Sequence, residues 1–197
     1  MSDATTRISA AEARRRMPPV TAIDDAHLRA ETVEAIRSFP AHFWEAPATT
    51  AETHHNPHCR GERGLWTHVL MAATAYERLV DSYREQGLLS AHDADCGRAA
   101  VLLHDGRKFG GEWSPGTTAA ADHELVMGAW VQAETDLPVA VADAVASHMG
   151  AWYDGPAPRS DLAQLVHTAD MVASDPNTTC GVLDPPAELG EVPTASF

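Results

Sequence analysis

The sequence predicts an all-α, single-domain helical bundle, and three observations carry that prediction. Apolar residues recur at helical spacing through most of the chain. No stretch alternates apolar and polar residues as a half-buried strand does. Caps and breakers bound each apolar stretch. At 197 residues the chain has the length of one domain with a sizeable core.

Taken in order, residues from about Asp24 to Phe39 read as a helix stopped by Pro40. The Pro-, Thr- and His-rich stretch "APATTAETHHNPHCRGERG" reads as a loop. A long helix follows from Leu65 to Glu85, closed by Gly87. Ser90 can cap a helix running to His104, and "GRKFGGEWSPG" is a Gly-rich loop. Helical pattern returns from Thr118 to Thr135 and from Pro138, a good first-turn residue, to Met149. After the loop "GAWYDGPAP", Ser160 caps a last helix to about Ser174. The expected organisation is an N-terminal helical segment over 1–50, a domain carrying the chemistry over 51–175, and a tail over 176–197. That tail lacks periodicity and is expected to be extended or disordered. No internal repeat is visible.

The formal net charge of −14 disfavours duplex nucleic acid, whose binding rests on Lys and Arg neutralising phosphates. Lys108 is the only lysine. An acidic, lysine-poor composition fits a salt-rich cytoplasm and fits a GC-rich coding bias equally well. Cys59, Cys96 and Cys180 are odd in number and widely spaced, which argues against a disulfide framework or a thiolate zinc site. No apolar run approaches the roughly 20 residues of a membrane span, and the N-terminus carries no secretory pattern. A soluble, cytoplasmic protein is expected.

His104 and Asp105 end the apolar run "AAVLL", where an unpaired polar group costs several kcal/mol. Phasing at roughly 100° per residue tests which other histidines face the core. His68 lies in or beside the stripe Leu65, Val69, Ala72, Tyr76 and Leu79. His123 falls among Val126, Met127 and Trp130. His148 and Asp170 sit at the edges of their stripes, whereas His167 projects away from its own and is expected to be solvated. Helix bundles build metal sites from such facing side chains. Imidazole and carboxylate without sulfur suit Zn, Fe, Mn, Ni or Mg.

The ordered set His68, His104–Asp105, His123, His148 and Asp170 resembles that of the HD-domain metal-dependent phosphohydrolases, over roughly residues 50 to 175. "HHNPHCRGERGLWTH" looks like the approach to that family's first ligand. "HDGRK" resembles its His-Asp-x-x-Lys stretch, and "HELVMGAWV" its helix with a third histidine. "ASHMGAWYDGP" through "LVHTADMVAS" is similar to the end of small bacterial, archaeal and phage members. One departure is Arg107, standing where the family usually has glycine, with Gly106 before it.

The resemblance implies two divalent ions. His68, His104, Asp105 and Asp170 would hold one, and His123 and His148 a second, with Asp105 bridging. Two such ions can activate water and clamp a phosphoester. Asp105 and Lys108 are the expected catalytic pair, with Lys108 placing a cation on a substrate phosphate. Arg107 either adds a phosphate contact or points to solvent. Among His54, His55 and His58, His55 is the best candidate for a role beside the ligands. Arg60 and Arg63 either contact phosphate or form surface pairs. Trp152 and Tyr153 either line the pocket, stacking on a base, or pack in the core. The implied activity is hydrolysis of a nucleotide or other small phosphoester. A 3′–5′ exoribonuclease, a mixed-valent di-iron oxygenase and a non-catalytic metal-stabilised module are the alternatives.

Overall fold

A computed structural model describes residues 7–50, 55–110, 112–150 and 155–177. Among them are seven α-helices and no strand, so the fold is all-α. The helices are α1 (Ala10–Arg16), α2 (Ala26–Arg37), α3 (Gly64–Glu85), α4 (Ala91–Leu103), α5 (His123–Glu134), α6 (Val139–Ala146) and α7 (Asp161–Ser174). No helix among the described residues is long and apolar enough to cross a membrane. The stretch 178–197, most of the expected tail, lies outside the described residues.

Local chemistry explains most of the helix starts. Asp25 accepts from the amides of His27 and Leu28 ahead of α2. Ser90 and Asp93 form a reciprocal capping box at α4. Ser160 accepts from the amide of Ala163 at α7.

The long helix α3 packs against α4 and α7; α4 also touches α6 and α7, and α5 pairs with α6. Close approach between α3 and α4 depends on Gly97, since a Cβ there would fall 2.0 Å from the Tyr76 hydroxyl. That hydroxyl donates to the carbonyl of Ala94 at 3.0 Å, satisfying a buried polar group. The N-terminal segment joins the same core. Met17, Val20 and Ile23 are buried, and the Trp66 indole donates to the Arg16 carbonyl at 2.9 Å.

Two helices differ from expectation. Helix α5 begins at His123 rather than Thr118, because the preceding backbone is tied to a loop: the Ala120 amide donates to the Lys108 carbonyl at 3.0 Å. Val126, expected on its apolar face, is 42% exposed. Helix α6 ends at Ala146 rather than Met149. Ser147 turns both its amide and its hydroxyl back onto the Asp143 carbonyl, and His148 lies in the turn beyond. A short helix, α1, also precedes those read individually from the sequence.

Candidate metal centre

Six ligand-type side chains from five parts of the fold converge in the core. His68 comes from the second turn of α3, His104 from the C-cap of α4, and Asp105 from the next residue. His123 opens α5, His148 follows α6, and Asp170 lies in α7. All six are buried. Gly106 lets the chain pass after Asp105, since a Cβ there would fall 2.4 Å from the Phe39 ring.

Backbone carbonyls set the ring orientations. The Nδ1 atoms of His104, His123 and His148 lie 2.7, 3.0 and 2.7 Å from the carbonyls of Val101, Ala120 and Val145. A carbonyl only accepts, so each Nδ1 carries its proton there, and the neutral ring keeps its lone pair at Nε2. The His123 and His148 Nε2 atoms are buried without a hydrogen-bond partner, as is Asp105 Oδ1.

The inward atoms are closely spaced. His68 Nε2 lies 3.0 Å from Asp170 Oδ1 and 3.2 Å from His104 Nε2. Asp105 Oδ2 is 3.6 Å from the Nε2 atoms of both His68 and His104. Its other oxygen, Oδ1, is 3.2 Å from His123 Nε2 and 3.6 Å from His148 Nε2. Two groups result that could hold an ion, His68–His104–Asp170 and His104–Asp105–His148. His123 borders the second through Asp105.

The electrostatics are also compatible with a cation. Burial alone would keep Asp105 and Asp170 protonated. Lys108 and His104 overcome it at Asp105, and His68 and His104 at Asp170, so both stay well below the ordinary carboxylate range. Burial pushes His104 down to about 4 against the pull of Asp105 and Asp170, leaving it neutral at neutral pH. Burial opposes charge on His148 too, but Asp105 and Asp170 raise it. Lys108 Nζ bonds Asp105 Oδ2 at 2.7 Å and is the one ammonium in the cluster. Two carboxylates against one ammonium, ringed by lone pairs, is a donor set that a divalent ion satisfies. Donors sharing an ion at about 2.1 Å lie about 3.0–3.4 Å apart, close to the shorter separations here.

The other candidates are placed unevenly. His55 is half-buried and sets its ring edge-on to His68, centroids 4.9 Å apart. Its backbone is left-handed (φ 64°), its Nδ1 is buried without a partner, and burial, then His68, push its pKa down to about 2. A non-glycine residue held there is strained, a state that recurs at functional sites. Arg63 precedes α3, also at φ 64°, and lies 3.6 Å from Glu62. The Arg107 guanidinium stacks on Trp130 at 4.6 Å and lines a cleft of about 220 Å³ with Glu31 and Glu134, to which none of the six ligand-type residues contributes. His54, Trp152 and Tyr153 lie outside the described residues.

Two further side chains border the site beyond those the sequence pointed to. Glu124 is buried beside His123, its Oε2 unpartnered and 3.6 Å from His123 Nδ1. Its one signal was a carboxylate directly after a core-facing histidine. His167 is half-buried rather than solvated, and its Nδ1 donates to the His148 carbonyl at 2.6 Å. Its signal was the i,i+3 spacing to Asp170, which puts both on one side of α7. No family model, curated protein or solved structure matches the chain.

Proposed function

We propose that the chain is a metal-dependent phosphohydrolase acting on a nucleotide or another small phosphoester, with two divalent ions held by His68, His104, Asp105, His123, His148 and Asp170. The observation that carries this reading is the Asp105 carboxylate, whose two oxygens face two different pairs of imidazole Nε2 atoms. Bound there, divalent ions would supply Lewis-acid charge to phosphoester oxygens and a nucleophilic water at neutral pH. The HD-domain resemblance of the ordered ligand set supports the same reading.

The remaining roles belong to the chain's own side chains. Lys108 spends one of its three N–H donors on Asp105 and offers the others to a substrate phosphate oxygen. His55, strained and with a free Nδ1 beside His68, contacts the same phosphoester. The acidic chain favours small phosphoesters over long polyanions.

Hydrolysis of a generic phosphomonoester and phosphodiester under added Mn²⁺, Ni²⁺ or Mg²⁺ tests the proposal. Turnover that needs the ion and vanishes in His104→Ala supports it. Equal turnover in wild type and variant refutes it, and two bound irons with oxygen consumption and no hydrolysis would move the assignment to an oxygenase.

A further inference from the structure

We infer that His167 is a positioning residue that locks the two halves of the metal centre together through the main chain of His148. This inference rests on the metal-centre reading above and assigns a role to a residue outside the ligand set.

His148 sits past the last residue of α6, in a turn, so no helical hydrogen bond fixes its carbonyl. Besides its amide, which donates to the Val145 carbonyl at 3.4 Å, two contacts hold the residue. Its ring donates from Nδ1 to Val145, and its carbonyl accepts from His167 Nδ1 at 2.6 Å. The second contact comes from α7, one turn before Asp170. Asp170 faces His68 and His104, whereas His148 faces Asp105 Oδ1. A single imidazole therefore ties the position of a ligand on one side of Asp105 to the helix that supplies a ligand on the other.

The turn is shaped around that imidazole. Gly150 has φ +56°, and a Cβ on it would fall 2.9 Å from His167 Cε1 and 3.3 Å from Nε2. Glycine alone lets the backbone cross the ring so closely while holding a left-handed conformation. The ring's N–H, its carbonyl partner and the glycine above it form one fitted unit. Groups that orient a ligating histidine typically affect metal affinity by about 10–100-fold.

The test is calorimetric titration of the chelator-stripped full chain with Mn²⁺, alongside metal-free thermal unfolding. Wild type is compared with His167→Phe, His167→Asn and Gly150→Ala. Phenylalanine keeps the ring and removes the donor; asparagine keeps an N–H close to the Nδ1 position. Two binding steps are expected in wild type. The second should weaken about tenfold or more in His167→Phe with the first unchanged, and recover in His167→Asn. Gly150→Ala crowds the ring from the turn without altering His167 and should weaken the same step, which keeps the inference testable if His167→Phe fails to fold. Two unaltered steps in a folded His167→Phe, or in Gly150→Ala, overturn the inference and leave the metal centre standing. Absence of binding in wild type overturns the metal reading itself.

Discussion

Asp105 points its Oδ1 at His123, 3.2 Å from Nε2, while its Oδ2 faces the histidines on the other side of the cluster. A residue so shared is expected to matter to both ion sites at once. Asp105→Ala removes both oxygens at once. It should weaken both Mn²⁺ binding steps by more than about 100-fold, beyond the cost of an outer neighbour. Calorimetric titration checks this, and loss of one step only would show that Asp105 does not bridge.

Lys108 separates binding from turnover. Its ammonium pairs with Asp105 but offers no lone pair to a cation. Lys108→Met should therefore keep both ions and lower phosphoester kcat by about 10²-fold, the scale of losing one charge-stabilising donor. Steady-state kinetics on the metal-loaded variant decides it; an unchanged kcat would remove Lys108 from the substrate site.

Metal removal should appear in stability. Without an ion, the His123 and His148 Nε2 atoms and Asp105 Oδ1 stay buried and unpartnered. An ion at about 100 times its Kd adds about 2.7 kcal/mol to the folded state. For a chain of this size that raises Tm by about 5–10 °C. Scanning calorimetry with and without EDTA measures the shift, and His104→Ala should abolish it.

The capping box at α4 gives a pH-dependent contribution away from the site. Hydrogen bonds from the Ser90 hydroxyl, then its amide, hold the Asp93 carboxyl below its ordinary 3.8. A depressed carboxylate stabilises the fold above its unfolded pKa and loses that contribution as pH falls through the folded value. Ser90→Ala should cost about 1 kcal/mol near neutral pH, a Tm fall of about 2–4 °C. That gap should narrow below pH 3.8 as Asp93 protonates in wild type. Thermal melts at pH 7 and pH 3 test both the size and the sign.

What was legible in the sequence was what local chemistry decides. Ser90 and Ser160 read as caps because a hydroxyl meets an amide three residues on, whatever the tertiary fold. His68, His123 and Asp170 stood out because a polar group on or beside an apolar stripe needs a partner. Two of the misreadings involve partners outside the local helix, while the early end of α6 comes from the nearby Ser147–Asp143 contact. The Thr118–Ala121 stretch carries a helical composition, but the Ala120 amide is committed to Lys108, twelve residues away. His167 points away from the apolar stripe of its own helix, and its partner is the His148 carbonyl from another part of the fold. Arg107 is open between phosphate and solvent in the sequence, and its guanidinium stacks on Trp130.

The most direct test of the central claim is metal content per chain, by elemental analysis of protein purified without chelator or nickel affinity. Close to two divalent ions per chain, lost in His104→Ala, is the expected result. No bound ion, together with a Tm indifferent to added Mn²⁺, Fe²⁺ or Zn²⁺, would contradict it and leave His68, His104, His123 and His148 as core histidines.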